Sequence, residues 1–217
     1  MNQFSPDGLT PTTIARAGAD LAEEAARFAG LGWMRGTSGN LSVTLDRDPL
    51  RLAVTGSGLD KGELEATDIV IVDERGEAVV GAGGSGHRPS AEAGLHARIA
   101  RVTGAGAVVH LHALSAVIAA ERWPEGVELR DLEMLKGLGH SAHDETVVIP
   151  VIANGQDMAV LGDAFESRYL PATATIAEVP VVLVARHGMY AWGSDLRQAR
   201  WHAELIEWLL RFALETR

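Results

Sequence analysis

The chain has 217 residues, 47% of them hydrophobic and 22% charged, with a formal net charge of -10 and no cysteine. This is the balance of a globular protein with a sizeable core, and the acidic excess argues against non-specific binding to nucleic acid or anionic membranes, which need a basic face. Without cysteine there are no disulfides or thiolate metal sites, so any transition-metal site must be built from histidine and carboxylate.

The opening stretch, MNQFSPDGLTPTT, has neither the basic nor the apolar segment of a signal peptide. No apolar run approaches the ~20 residues of a membrane span, and a cytoplasmic protein is expected. Thr10-Pro11 reads as a helix start, a capping residue followed by proline at the first helical position. Ile14, Leu21, Ala25 and Phe28 recur at helical spacing, and Gly30 and Gly32 end the segment. Residues 41–45, 51–55 and 68–73 are short, β-branched and bounded by turn residues, the pattern of an antiparallel meander. The glycine-rich stretch 81–89 is too short for a domain linker and reads as a mobile loop near a site. Ser90 is expected to cap a helix reaching about Arg101. A strand over 107–113, a helix over 115–122 and a short helix around Leu132–Gly137 follow. Residues 147–152 read as a strand and Gln156–Ser167 as a helix. The run 181–187 reads as one buried central strand. Asp195 caps a last helix to about Leu214, with Ala199, Leu205, Ile206, Leu209 and Phe212 on its inner side. There is no internal repeat, and the whole chain, 1–217, reads as a single α/β domain.

His110-Leu111-His112 is the strongest chemical signal. Alternate side chains of a strand share a face, which places the two His Cβ atoms about 7 Å apart and lets both rings reach one ion. The competing reading is two hydrogen-bonded histidines at a strand end. A catalytic metal site usually has three protein ligands and an open position. His187 supplies the third, at the end of an apolar run and before Gly188, which permits a sharp turn. His87, His96, His140 and His143 are weaker candidates, and His202 reads as a helix-surface or interface residue. Imidazole suits Zn, Fe, Ni or Cu, and zinc is the expectation for non-redox chemistry.

Three segments pair small polar residues with glycine or a helix start: Thr37-Ser38-Gly39-Asn40, Thr55-Gly56-Ser57-Gly58 with Lys61 close behind, and Pro89-Ser90-Ala91-Glu92. Such segments can turn N–H groups toward an anion, although each alone is more often a plain turn. Two carboxylates are candidates for acid–base work. Glu92 lies in the first turn of its helix, and Glu133 is flanked by apolar residues. Their ordinary alternatives are a helix-dipole partner and an exposed, ion-paired residue.

The order TSGN, TGSG, PSAE, HLH and RHG resembles the class II aldolase and adducin-head family over roughly Leu21 to Leu210. The segments GLDKG, EMLKG, Asn154-Gly155-Gln156-Asp157 and HGMYAWG are similar to those of its dehydratase members in methionine salvage. The resemblance implies a central, mainly antiparallel sheet flanked by helices. It implies zinc on His110, His112 and His187, and a substrate phosphate held by Asn40, Ser57, Gly58 and Ser90, with Lys61 beside them. The implied activity is dehydration of 5-methylthioribulose 1-phosphate, with Glu133 as the first choice of proton carrier and Glu92 as the second. It further implies a homotetramer. A ketose-1-phosphate aldolase, a sugar-phosphate epimerase and a non-catalytic adducin-like interaction domain are the alternatives.

Overall fold

The computed structural model describes residues 9–81, 86–139, 146–169 and 178–217. His140 and His143, and the centre of the glycine-rich stretch, lie outside the described residues.

The first helix, α1 (Pro11–Gly30), starts as expected: the Thr10 hydroxyl accepts the Thr13 N–H. Strands β1 (Asn40–Arg47), β2 (Leu50–Thr55) and β3 (Ile69–Val72) form the antiparallel meander. Next come α2 (Ala93–Thr103), β4 (Ala107–Leu111) and α3 (Leu114–Arg122). They are followed by β5 (Val127–Leu129), a 3-10 helix over Glu133–Leu138, β6 (Val147–Ile149) and β7 (Val151–Ile152). The chain ends with α4 (Met158–Arg168), β8 (Val181–Val184), β9 (Gly188–Gly193) and α5 (Leu196–Thr216). Seven strands form the main sheet in the order β3-β2-β1-β4-β9-β8-β7, antiparallel except for the β7–β8 pair.

Strand alternation divides the core between the two faces of this sheet. Val109 and Leu111 of β4 join Leu21 and Phe28 of α1 and Ile206 and Leu209 of α5. Val108 points the other way, into a cluster with Leu95 and Ile99 of α2 and Phe165 of α4. His110 shares the face of Val108, and it lies opposite Tyr190 in the β4–β9 register. Among the described residues no helix is long and apolar enough to cross a membrane.

Five expectations are corrected. The run 147–152 is split at Pro150, which lacks the N–H a continuous ladder needs. Its first half pairs with β5 in a separate two-stranded sheet, and its second half joins the main sheet. The run 181–187 stops as a strand at Val184, turns through Arg186 at φ 56°, and returns as β9. The residue capping α2 is Glu92, while Ser90 lies two residues earlier with its hydroxyl accepting the Glu92 N–H at 3.3 Å. His202 is buried and its Nδ1 meets the Trp192 carbonyl at 2.6 Å, so it ties α5 to β9 instead of facing outward. Phe212 is 38% exposed and stacks on Trp208, on the outer side of α5.

Leu111 is fully buried between the two histidines of the HLH motif. Leu111→Ala is expected to lower stability by about 2–5 kcal/mol, the range for deleting a buried leucine side chain. Denaturant titration, with the midpoint shifted and the slope unchanged, is the check.

Candidate metal centre

Three imidazoles converge where β4 ends. His110 Nε2 lies 2.9 Å from His112 Nε2 and 3.2 Å from His187 Nε2. The Nδ1 atom of His110 faces the Met189 carbonyl at 3.1 Å, which requires an N–H there and leaves the Nε2 lone pair free. The Nδ1 atom of His187 meets Asn154 Oδ1 at 3.2 Å in the same manner. Burial first, and then the neighbouring His110 and His187, push His112 down to about 4, so it is neutral near pH 7. Three ring nitrogens turned toward one point suit a shared cation. Two nitrogens on one tetrahedral ion, each at ~2.0–2.1 Å, would be about 3.3 Å apart. The triad therefore fits a divalent transition-metal ion, and the outward N–H bonds are the supports that metal-bound histidines generally have.

His110 and Leu111 are in the strand, and His112 follows its end, where its N–H donates to the Trp33 carbonyl at 2.9 Å. His187 sits in the β8–β9 turn, not at a strand terminus. The positive φ of Arg186 is held by a two-pronged ion pair with Glu121 at 2.8 and 2.9 Å. Gly188 follows, and a Cβ there would collide with the Leu111 carbonyl, so glycine is what allows β9 to begin so close to β4.

Glu92 stands over the triad. One carboxylate oxygen is 3.0 Å from His187 Nε2, and the other is 3.4 Å from His110 Nε2 and accepts Asn40 Nδ2 at 2.6 Å. As the residue capping α2 it makes no side-chain bond to its own helix, because the carboxylate is engaged with the histidines. Burial acts to raise its pKa, but its contacts with His110 and His187 and the hydrogen bond from Asn40 together outweigh it and hold the carboxyl below the usual range.

Tyr190 was not singled out by the sequence. Its ring stacks on His110 at 4.1 Å, and burial, with the Glu92 charge and hydrogen bond behind it, raises its phenol well above the ordinary value. Its position in HGMYAWG becomes informative only once that segment is recognised as a strand opposite HLH. Behind it, His96 is pushed down to about 3 by burial and then by His110, and its Nδ1 lies 2.8 Å from the Ser42 hydroxyl.

A cavity of about 280 Å³ opens beside the triad, and Asn40, Ser57, Gly58, Lys61, Ser90 and Glu92 all line it together with His112 and His187. The bridge between Gly56 and Pro89 brings the second and third glycine or serine turns side by side. The Ser57 N–H is already donated to the Arg88 carbonyl, so Ser57 offers its hydroxyl to the cavity. Lys61 is buried, and burial lowers its pKa. Its ammonium donates to the carbonyls of Leu59 at 2.7 Å and Thr37 at 3.2 Å, which leaves one N–H for an anion. Glu133 is placed elsewhere. It is on the 3-10 helix, its side chain is 75% exposed and paired with Lys136 at 2.7 Å, and it does not line this cavity.

The family model described as class II aldolase and adducin N-terminal domain matches residues 19–214. A methylthioribulose-1-phosphate dehydratase of Sorangium cellulosum is 37% identical over 218 residues, covering 97% of both chains. One of Persephonella marina is 34% identical over 183 residues, covering 83% of this chain and 81% of its own. Among solved structures, YgbL of Escherichia coli aligns with a TM-score of 0.74 at 22% identity, covering 94% of this chain and 91% of its own. The L-fuculose-1-phosphate aldolase of Thermus thermophilus aligns at 0.67 and 22% identity, covering 96% and 97%. The two structural likenesses bear on the fold alone.

Asn154 Oδ1 lies at hydrogen-bond distance from His187 Nδ1. Asn154→Ala is expected to weaken binding of a divalent metal by about 10–100-fold, the usual effect of removing a support behind a ligand. His187→Ala, which removes a ligand, is expected to weaken it further. Competition against a chelating dye measures both, and an unchanged Asn154→Ala affinity would remove Asn154 from the centre.

Proposed function

The chain belongs to the class II aldolase and adducin N-terminal domain family, and on that footing we propose that it is a zinc-dependent lyase of methionine salvage. Its reaction is dehydration of 5-methylthioribulose 1-phosphate to 2,3-diketo-5-methylthiopentyl 1-phosphate. The observation that carries the reading is the single cavity in which an anion cradle, a three-histidine centre and an ionised carboxylate meet. The names of the relatives at 34% and 37% identity select the dehydratase among the family's chemistries.

Asn40, Ser57, Gly58, Lys61 and Ser90 hold the substrate phosphate. His110, His112 and His187 would hold the metal ion, which would supply the Lewis acidity that makes the hydrogen beside the C2 carbonyl removable. Zinc is favoured because the donors are all imidazole and the reaction involves no net redox change. A carboxylate accepts the C3 proton, the C3–H electrons form the C3–C4 double bond, and the C4–O bond breaks. The same carboxyl returns the proton to the departing hydroxyl, which leaves as water. The resulting enol moves a proton from its C3 hydroxyl to C4 and becomes the diketone. Glu92 has the geometry for this role within one subunit, being inside the cavity and 3.0 Å from His187. Glu133 is the second candidate, carried by its place in a segment similar to the family's dehydratase members.

The reading extends to residues 1–217 as one domain, in a cytoplasmic homotetramer. Trp201, Trp208 and Phe212 support assembly: they are 49%, 44% and 38% exposed along one side of α5, an apolar face suited to covering by a second copy.

Glu92→Gln is expected to lower kcat by about 10²–10⁴-fold, the usual range for losing a positioned acid or base. Glu133→Gln, assayed in parallel, tests the second candidate. Product analysis with 5-methylthioribulose 1-phosphate and with L-fuculose 1-phosphate separates water loss from aldol cleavage. Turnover of the first substrate by Glu92→Gln at the unaltered rate would refute the assignment.

A further inference from the structure

The metal centre adjoins a second cavity. His112 lines the anion-binding cavity and also a separate one of about 640 Å³, formed with Leu31, Trp33, Leu114, Ile118 and Leu214. Its wall is preformed on one side. The Trp33 ring stacks on buried Phe28 at 5.9 Å, and the Trp33 carbonyl is fastened to the His112 N–H. On the other side Leu114 and Ile118, one helical turn apart on α3, are 71% and 46% exposed, large apolar side chains turned toward open space. Charged residues at its rim come in both signs: Glu207 and Arg211 of α5 pair with each other at 3.8 Å, and Arg35 and Glu215 add one charge of each sign, so the net charge of the lining is small.

The proposed substrate has the same two-ended character. A dianionic phosphate sits on C1, an uncharged thioether sits on C5, and the reacting carbons lie between them. With the phosphate in the cradle and the reacting carbons at the histidines, the C5 end is the part left to pass His112. We propose that the cavity beyond His112 receives the methylthio group, and that Leu114 and Ile118 on α3 determine specificity for an apolar C5 substituent. The polarisable sulfur would lie against Trp33, since thioethers make favourable contacts with aromatic rings. This assignment rests on the dehydratase reading.

The test compares the metal-loaded enzyme on 5-methylthioribulose 1-phosphate and on 5-deoxyribulose 1-phosphate, which lacks only the methylthio group. One small apolar group seated in a pocket is worth roughly 10–200-fold in kcat/KM, so the wild-type chain is expected to favour the methylthio substrate at least about tenfold. Ile118→Trp fills the cavity and Leu114→Asn makes its wall polar. In each variant the ratio of the two kcat/KM values is expected to fall toward one, with circular dichroism confirming the fold. Leu114 is already largely exposed, so its variant serves where the bulkier one fails to fold. Equal wild-type turnover of the two substrates overturns the inference, as does a ratio that neither variant changes. Sedimentation is run on the same samples. Loss of the assembly, with both substrates slowed alike, would mean that a second copy of the chain covers this cavity, which also overturns the inference. If the wild type turns over neither substrate, the dehydratase reading falls, and the inference with it.

Discussion

Three imidazole nitrogens converge on one point, His110 Nε2 lying 2.9 Å from that of His112 and 3.2 Å from that of His187. Ring nitrogens this close repel unless a proton or a cation lies between them. The fold must therefore supply the constraint. It does so mainly through the β4–β9 pairing, which sets His110 opposite Tyr190 and Leu111 opposite Met189. That register brings the Met189 carbonyl to His110 Nδ1 and so selects the tautomer. It also forces glycine at 188, where any side chain would strike the Leu111 carbonyl. The positive φ of Arg186 completes the turn that carries His187 back over the strand, and the pair with Glu121 holds it there.

The acidic groups and the anion cradle are arranged around that fixed point. Asn40 begins β1 and pairs with His110 in the sheet, so the residue beside the metal ligand is also the one that holds the Glu92 carboxylate. Glu92 lies at the N-terminus of α2, where the helix dipole favours its charged form, and its contacts with His110, His187 and Asn40 act in the same direction. The net charge of -10 does not oppose an anionic ligand here. An anion in the cavity responds to the nearby Lys61 ammonium, the hydroxyls and any bound cation, while more distant exposed carboxylates are screened over about 8–10 Å.

Much of this was legible in the sequence, and the failures have physical causes. Helix α1 was readable because its cap, its proline and its apolar spacing all agree. The three-strand meander was readable because β-branched runs alternate with turn residues. The triad was legible as a His-x-His pair on a strand with a third histidine before a glycine, and the cavity lining as small polar residues beside glycine or a helix start. What local patterns could not show was pairing. An apolar run reads the same whether it is one strand or two, so the break at Pro150 and the hairpin at residues 185–187 were missed. With β9 missed, Tyr190 went unnoticed, although it packs on the central ligand. His202 shares the helical spacing of Ala199, Ile206 and Leu209, so its inward position was legible from α5 itself, and the Trp192 carbonyl supplies the partner that lets a polar ring sit there. Glu133 has apolar neighbours, of which Leu135 and Leu138 turn inward from the 3-10 helix, while its carboxylate is exposed and pairs with Lys136, the ordinary alternative its sequence position allowed.

His112 is the least constrained of the three histidines. His110 is buried in the sheet and His187 is fixed by a strained turn, whereas His112 lies one residue beyond the strand with its backbone tied to Trp33. A ligand at a strand exit can have a polar cavity on one side of its ring and an apolar one on the other, which a residue inside the sheet cannot. The same feature gives the centre its asymmetry. The polar cavity is lined by loops that precede β1 and α2 or follow β2, while the apolar one is lined by the start of α3 and the end of α5. Helix α2 packs on one face of the sheet, and α3 and α5 on the other. Changes in the apolar wall can therefore alter which substituent is accepted without disturbing the cradle, which is how one metal centre could serve several phosphorylated sugars within a family.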